Sequence, residues 1–172
     1  MSKIKKNGIV FWITGLPGSG KTTIAKKIHN SIEDKFGPTI EISGDELRKI
    51  FSFNKYDLKS RVHYAKIYSC LCQFLVKRKY NVLISTVSLF HEVHKMNRKN
   101  IKNYFEIFIQ SNVKKIIRLN IKKTYKNKKN LMGLDLKPQF PKKPDIKIIN
   151  SFDKSIAAMS EDLLKKMFKK LN

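Results

Sequence analysis

The stretch Gly15-Leu16-Pro17-Gly18-Ser19-Gly20-Lys21-Thr22 decides the fold of this chain. It matches the phosphate-binding pattern G-x-x-x-x-G-K-[ST] in full. Its glycines allow a tight turn that points successive backbone N–H groups at a phosphate, and the helix that follows adds its positive dipole end. Lys21 then reaches the β- and γ-phosphates, and the Thr22 hydroxyl is placed to bind Mg²⁺. The stretch therefore predicts a nucleoside-triphosphate site.

Short apolar runs alternate with amphipathic stretches along the rest of the chain. The runs are rich in Ile, Val, Phe and Tyr and predict five buried strands at residues 9–14, 38–43, 80–87, 104–110 and 145–150. Apolar residues at helical spacing predict helices at residues 22–36, 58–79, 90–103 and 152–171. This alternation favours an α/β fold, a P-loop kinase-like five-stranded parallel sheet with helices on both faces. A single domain over residues 1–172 is expected, because no repeat or Ser/Pro linker divides the chain.

The composition restricts the class of protein. An apolar fraction of 41% excludes a disordered chain, although 37 Lys+Arg against 13 Asp+Glu give a net charge of +24. The basic residues are 32 lysines and only five arginines, which favours a solvated lysine surface over a nucleic-acid interface, where Arg reads bases and phosphates. Neither an export signal nor an apolar run long enough for a membrane span is recognisable, so a cytoplasmic protein that does not bind membranes is expected.

Residues 122–143 interrupt the alternation. They are rich in lysine, contain two of the five prolines and show little apolar periodicity. Two interpretations stay open: a disordered surface loop, or a short lysine-rich lid that closes over bound phosphate.

A candidate acid follows the second predicted strand, in Ser43-Gly44-Asp45-Glu46-Leu47-Arg48. Strand ends beside a phosphate loop face the ligand crevice of an open parallel sheet. There Asp45 is a candidate to accept a proton from an acceptor hydroxyl or to hold water on Mg²⁺. Arg48, one helical turn further on, is a candidate to neutralise an acceptor anion. The alternatives are a helix cap at Asp45 and a surface position for Arg48.

Classes that hydrolyse nucleotides are disfavoured. Asn54-Lys55-Tyr56-Asp57 matches a guanine-reading Asn-Lys-x-Asp, but it precedes the third predicted strand instead of following a later one. That strand ends in Ser85-Thr86-Val87-Ser88, without the Walker-B Asp usual in ATP-hydrolysing proteins. A kinase is therefore predicted, with a nucleic-acid-binding protein or polynucleotide-end kinase as a remoter alternative.

Five segments together resemble the adenylylsulfate kinase family: residues 15–23, Gly44-Asp45-Glu46-Leu47-Arg48, Ser85-Thr86-Val87-Ser88-Leu89-Phe90, Asn97-Arg98, and Tyr104-Phe105-Glu106-Ile107-Phe108. Members of this family move the γ-phosphoryl group of ATP to a ribose 3′-hydroxyl of a nucleotide. The resemblance implies Lys21 and Asp45 as catalytic residues and Mg²⁺ on Thr22. It also implies an ATP site formed by Gly15, Leu16, Pro17, Gly18, Ser19, Gly20, Lys21, Thr22, Thr23 and Arg118.

The acceptor side follows the family less closely. The resemblance implies acceptor contacts from Asp45, Arg48, Phe51, Arg61, Val87, Ser88 and Leu89, with Phe51 as a stacking surface for the base. A single Arg61 stands where the family carries Asn-x-Arg-Arg, Leu89 replaces a proline, and the usual lid motif is not recognisable. These features resemble a branch from bacterial capsule pathways whose acceptor is cytidine diphosphoramidate. Adenylylsulfate is the alternative acceptor, and a homodimer is one alternative for the oligomeric state.

The remaining histidines and cysteines carry weaker signals. His91 and His94 share a helical face but lack further metal ligands nearby, so surface histidines are favoured. Cys70 and Cys72 are interpreted as packing residues. For His63, an acceptor contact and a surface position stay open.

Overall fold

The computed structural model of this chain describes residues 8–119 and 129–171. The strands are β1 (Val10–Gly15), β2 (Thr39–Ser43), β3 (Asn81–Thr86), β4 (Tyr104–Gln110) and β5 (Ile146–Ile149). The helices are α1 (Lys21–Phe36), α2 (Gly44–Ile50), α3 (Leu58–Lys77), α4 (His91–Asn100), α5 (Val113–Arg118) and α6 (Ile156–Leu171). Each predicted strand and helix is present with ends shifted by a few residues, and α5 is a short helix that the sequence did not predict.

The five strands form one parallel sheet in the order β2-β3-β1-β4-β5. Every residue of the neighbouring strands β1 and β3 is buried, which explains their continuous apolar runs. Their register pairs Val10 with Val82 and Thr14 with Thr86, so both strands end at the same edge of the sheet. The predicted α/β fold with a five-stranded parallel sheet is confirmed.

Two cores cover the two faces of this sheet. Alternate side chains of β1 point to opposite faces, with Phe11 and Ile13 on one and Val10 and Trp12 on the other. The first core is completed by α1 and α6, and the second by α3 and α4. The sheet is therefore held rigidly between helices, and its carboxyl edge is a fixed platform for the loops that follow each strand.

A buried ion pair joins the end of the sheet to α4. The Glu106 side chain on β4 is only 1% exposed, and Arg98 donates to it at 3.0 Å. Tyr104 donates its hydroxyl to the same carboxylate at 2.9 Å, and burial raises the pKa of that hydroxyl first, with the Glu106 charge acting in the same direction. Arg98 also binds Asp145 at 3.1 Å, just before β5. These residues brace the fold and do not face the phosphate loop.

Within the described residues, no helix has the length and apolar character needed to cross a bilayer.

Candidate active site

The phosphate loop is the turn between β1 and α1. Gly20 caps α1 with a φ of 91°, a left-handed conformation that glycine adopts without strain. Because the cap residue is a glycine, it has no side chain to accept from the first N–H groups of α1, and a phosphate can accept from them instead. Within the loop, the Ser19 amide donates to the Leu16 carbonyl at 3.1 Å and closes the turn. The geometry is that of an anion cradle at a helix N-terminus.

Lys21 and Asn150 hold the loop from two sides. The Lys21 ammonium donates to the Leu16 carbonyl at 2.6 Å and to the Ser19 hydroxyl at 3.3 Å, so its side chain lies folded along the loop. Asn150, which follows β5 and is 2% exposed, donates its amide to the Ser19 carbonyl at 3.1 Å. No sequence motif marks Asn150, and its role is visible only because β5 ends beside the loop.

The Thr22 hydroxyl lies 3.1 Å from the Ser85 hydroxyl at the end of β3. Asp45 lines the same cavity as both. Among the described residues, no group of three or more His, Cys, Asp or Glu side chains is placed to hold a metal ion. Mg²⁺ prefers oxygen ligands and takes only one or two of them from the protein, because waters and substrate phosphates supply the rest. The residues present therefore fit Mg²⁺ brought in with a nucleotide.

Ser43, and not Asp45, caps α2. The Ser43 hydroxyl accepts from the Glu46 amide at 3.2 Å, and the Glu46 carboxylate accepts from the Ser43 amide at 2.8 Å. Hydrogen bonds from the Ser43 side chain and backbone lower the pKa of Glu46. Tyr68 donates to the Gly44 carbonyl at 3.3 Å, which fixes the first turn of α2. The helix-cap alternative for Asp45 is wrong, and its exposed side chain lines the cavity.

Arg48 and Arg61 lie against one aromatic ring. The guanidinium carbons are 4.0 Å and 5.3 Å from the centroid of Tyr56. Burial lowers the pKa of Arg61 first, and the neighbouring Arg48 charge lowers it further. Within the described part of the chain, neither guanidinium has a carboxylate within 4.0 Å. An anion bound beside Tyr56 would relieve this repulsion. The surface alternative for Arg48 is wrong, because it is half-buried and lines the cavity.

Backbone carbonyls fix both guanidinium groups. Arg48 donates to the carbonyls of Phe53 and Lys55 at 2.8 and 2.9 Å. Arg61 donates to the Tyr56 carbonyl at 2.7 Å and to the Asn130 carbonyl at 2.9 Å. Carbonyl acceptors orient the two groups without neutralising their charge.

Phe53 lines the cavity, whereas Phe51, the predicted stacking residue, does not. Phe51 is 40% exposed and does not line the cavity. Phe53 does, and its ring stacks on Tyr64 with centroids 3.9 Å apart and planes within 6°. Phe51 stacks behind it at 5.3 Å. Phe53 and Tyr64 therefore present an aromatic stack to the cavity.

Residues 87–89 follow β3. Val87 and Ser88 line the cavity, and the Ser88 hydroxyl lies 2.9 Å from the Thr86 hydroxyl. Leu89 is fully buried beneath them and does not reach the cavity. Two of the three residues predicted to contact the acceptor therefore line the cavity, and the third packs in the core.

One cavity of about 1040 Å³ lies between the start of α1, the start of α2 and the end of β3. Its lining residues are Pro17, Lys21, Thr22, Gly44, Asp45, Arg48, Lys49, Ser52, Phe53, Asn54, Tyr56, Arg61, Tyr64, Tyr68, Ser85, Thr86, Val87, Ser88, Phe90, Lys129, Asn130 and Leu131. Of the predicted ATP residues, Gly15, Leu16, Gly18, Ser19, Gly20 and Thr23 do not line this cavity, and neither does Arg118, which is exposed at the end of α5.

The described part of the predicted lid is packed against the protein. Lys122 and Lys123 lie outside the described residues, whereas residues 129–143 are described. Met132 is fully buried, and Gly133 has a φ of 94°, with its α-carbon so close to Leu16 that a Cβ would meet that side chain at 2.9 Å. The disordered-loop interpretation is therefore wrong for residues 129–143.

Two minor predictions are wrong and one alternative is settled. His94 is only 6% exposed, so it is not a surface histidine, and Cys70 is exposed, so it is not a packing residue. Cys72 is buried as expected, and burial raises the pKa of its thiol. His63 is exposed and does not line the cavity.

Residues 7–149 match the family model described as adenylylsulphate kinase. The chain belongs to the adenylylsulfate kinase family. It is accordingly a phosphotransferase with a hydroxyl group as acceptor, and the resemblance seen in the sequence is confirmed.

Individual relatives of this family span almost the whole chain. The chain is 33% identical over 169 residues to the cytidine diphosphoramidate kinase of Campylobacter jejuni, covering 95% of this chain and 99% of that protein. It is 25% identical over 152 residues to the adenylyl-sulfate kinase of Gloeothece citriformis, covering 83% and 85% of the two chains. The structure of the Mycobacterium tuberculosis APS kinase in complex with AMPPNP and APS superimposes with a TM-score of 0.84 at 23% identity, over 95% of this chain and 99% of that one. This last similarity concerns the fold.

Proposed function

We propose that this kinase transfers the γ-phosphoryl group of ATP to the ribose 3′-hydroxyl of a small nucleotide conjugate, and that the conjugate is cytidine diphosphoramidate. The observation that carries the proposal is a single cavity that joins Lys21 and Thr22 to Asp45 and to the Arg48–Tyr56–Arg61 stack. A nucleotide hydrolase binds only one anionic substrate, so it does not require the second group of cations formed by Arg48 and Arg61. A kinase with an anionic acceptor requires such a group.

The proposed transfer follows from the positions of these groups. The γ-phosphorus loses its bond to the β–γ bridging oxygen and forms one to the ribose 3′-oxygen, while the hydroxyl proton passes to the Asp45 carboxylate. Lys21 and the loop amides stabilise charge on the transferring group. Thr22, supported by Ser85 at 3.1 Å, would hold Mg²⁺, which supplies charge neutralisation at the phosphate oxygens when it is bound.

The acceptor wall, which we define as Arg48, Phe53, Tyr56, Arg61 and Tyr64, is suited to a nucleotide with an anionic end group. Among the described residues, the hydrogen bonds of Arg48 and Arg61 go only to carbonyls, so an acceptor anion would supply the missing negative charge. Phe53 is stacked between Tyr64 and Phe51, so the edge of this aromatic stack is the apolar contact available to a base. The cavity thus supplies the complementary chemistry for a base, a ribose and a small anionic group.

Cytidine diphosphoramidate is preferred as the acceptor because of the extent of the similarity. The Campylobacter jejuni kinase of that name aligns over 99% of its length at 33% identity. Its compact length matches that of this chain, and the acceptor-side departures seen in the sequence resemble the same branch.

Adenylylsulfate is the second candidate acceptor, supported by the family model over residues 7–149 and by adenylyl-sulfate kinases that align at 25% and 31% identity. Both acceptors carry a free 3′-hydroxyl and an anionic end group. They differ in the base, so the aromatic wall formed by Phe53 and Tyr64 is where discrimination is expected.

The test is an ADP-release assay with cytidine diphosphoramidate, adenylylsulfate, CDP and AMP as acceptors, with Mg²⁺ present. We expect kcat/KM for cytidine diphosphoramidate to exceed that for adenylylsulfate by about tenfold or more, the scale of one to two lost contacts. Phosphorus NMR of the product should place the new phosphate on the 3′-oxygen.

The opposite preference would replace the cytidine proposal with the adenylylsulfate alternative. ADP release at equal rate without any acceptor would contradict the kinase proposal itself. Lys21→Ala is the control for contaminating kinases, since its preparation should release no ADP in any arm.

A further inference from the structure

The carbonyl of Ser88 receives donors from two elements. His94 on α4 donates from Nε2 at 2.7 Å, and Thr14 on β1 donates its hydroxyl at 3.4 Å. The Ser88 hydroxyl is meanwhile 2.9 Å from the Thr86 hydroxyl. Ser88 therefore has its backbone and its side chain fixed independently, at a point where the chain leaves the sheet.

His94 is built as a neutral donor. A carbonyl oxygen can only accept, so the Nε2 atom carries the proton. The Nδ1 atom is buried and has no hydrogen-bond partner within the described residues. Burial lowers the pKa of His94 and outweighs Glu106 and the Ser88 carbonyl, which raise it, while His91 and Arg98 lower it further. The neutral imidazole of His94 therefore has one N–H donor, and it uses this donor on the Ser88 carbonyl.

Packing alone does not explain this contact. Leu89 and Val93 are fully buried and anchor the loop and the helix without any polar group. A buried imidazole with an unpartnered nitrogen costs free energy that an apolar side chain would avoid. Among the described residues, His94 makes its polar contact with Ser88. Ser88 and its neighbour Val87 both line the acceptor half of the cavity.

We propose that His94 is a positioning residue for the acceptor: by holding the Ser88 carbonyl, it sets the places of Val87 and Ser88 in the cavity. This inference rests on the proposed function, because it assumes that residues 87–88 contact the acceptor and not ATP. It implies an asymmetry between the substrates. Losing the imidazole should weaken acceptor binding and leave ATP binding almost unchanged.

The test compares His94→Met, which fills the space without a donor, with His94→Gln, whose amide can reach the same carbonyl. We expect His94→Met to raise the acceptor KM about tenfold, the effect of a lost buried hydrogen bond, with the ATP KM within about twofold of wild type. His94→Gln should recover most of the acceptor KM. Thermal unfolding and AMPPNP binding of each variant confirm that the fold and the ATP site are intact.

Asn150→Ala is the matched variant on the other side of the cavity. Its amide holds the Ser19 carbonyl of the phosphate loop, so this substitution should raise the ATP KM and spare the acceptor KM. An acceptor KM within twofold of wild type in a folded His94→Met, or equal increases in both KM values, would overturn the role of His94.

The failure of the proposed function gives a different result. The measurements use whichever acceptor the wild-type chain phosphorylates, so a preference for adenylylsulfate leaves the expected split between the two KM values unchanged. A wild-type chain that phosphorylates none of the acceptors would overturn both proposals.

Discussion

The phosphate loop and the acceptor wall share one cavity but are built from different materials. The loop presents backbone amides at the start of α1, held by Lys21 and Asn150 through carbonyls of the loop itself. The acceptor wall presents long side chains, and its two guanidinium groups lie on the ring of Tyr56. A backbone cradle accepts any phosphate, whereas side chains can discriminate. Under the proposed function, the loop serves the step that all such kinases share, and we expect the wall to determine which acceptor is phosphorylated.

The two regions also differ in their connection to the rest of the chain. The turn of the loop is closed by a contact within a few residues, Ser19 to Leu16, and Asn150 holds the loop from 131 positions away. The wall depends on a contact between residues that are 69 positions apart, Arg61 and the Asn130 carbonyl. Residues 129–131 line the cavity, and Gly133 packs on Leu16, so this segment touches both regions. Variants in the loop should therefore change the ATP KM and variants in the wall the acceptor KM, except where they disturb residues 129–133.

The largest effect is expected from Lys21→Ala. Removing the ammonium deprives the transferring phosphoryl group of its nearest protein cation, so kcat should fall by about a thousandfold. The fold should persist, because the Lys21 hydrogen bonds to Leu16 and Ser19 are local to the phosphate loop. Steady-state ADP release and thermal unfolding measure the two quantities. Lys27→Ala, an exposed lysine of α1, is the control; comparable turnover in the two variants would remove Lys21 from the mechanism.

Asp45→Asn should separate chemistry from binding. The amide cannot accept the hydroxyl proton, so we expect kcat to fall by about a hundredfold or more while the ATP affinity changes little. The α2 cap is formed by Ser43 and Glu46, so the substitution leaves the helix start intact. AMPPNP titration and single-turnover rates provide the measurements, with Asp34→Asn on α1 as an exposed control. A near-normal single-turnover rate would show that the proton goes elsewhere.

Arg61→Met should affect the acceptor and not ATP. It retains an apolar side chain beside Tyr56 but removes the charge and the bond to Asn130, so the acceptor KM should rise about ten- to a hundredfold. The ATP KM should stay within about threefold, and this margin allows for the shared segment at residues 129–131. Arg78→Met, an arginine at the end of α3 that does not line the cavity, controls for the loss of charge. A larger change in the ATP KM than in the acceptor KM would reverse the assignment of the two regions.

The sequence predicts the loop better than the wall for a physical reason. Eight consecutive residues specify the phosphate loop, and the alternation of apolar runs specifies the sheet that carries it, so both could be predicted from local patterns. Asp45 and Arg48 were within reach because strand ends beside the loop face the crevice. Ser43 as the cap of α2 could have been recognised from Glu46 three residues later, which is the capping-box spacing.

The rest of the site depends on tertiary contacts that no spacing encodes. Asn150 donates to the carbonyl of Ser19, 131 positions earlier in the chain, and His94 donates to the carbonyl of Ser88, six positions earlier. Neither contact belongs to a motif. The burial of Met132 could not be predicted, because residues 122–143 lack apolar periodicity and the segment packs through a turn centred on Gly133. Choosing between Phe51 and Phe53 required the direction of each ring after the end of α2.

That choice gives the smallest expected effect and the sharpest test of the wall. Phe53→Ala should raise the acceptor KM about fivefold, the effect of losing part of a stacking surface, while Phe51→Ala should change it less than twofold. Phe53 stacks directly on Tyr64, whereas Phe51 lies behind it and 40% exposed. Phe53 is partly buried against the core whereas Phe51 is exposed, so thermal unfolding of both variants separates a loss of local stability from a lost acceptor contact. If Phe51→Ala raises the acceptor KM more than Phe53→Ala does, the base binds outside the described cavity, beside Phe51 at the end of α2.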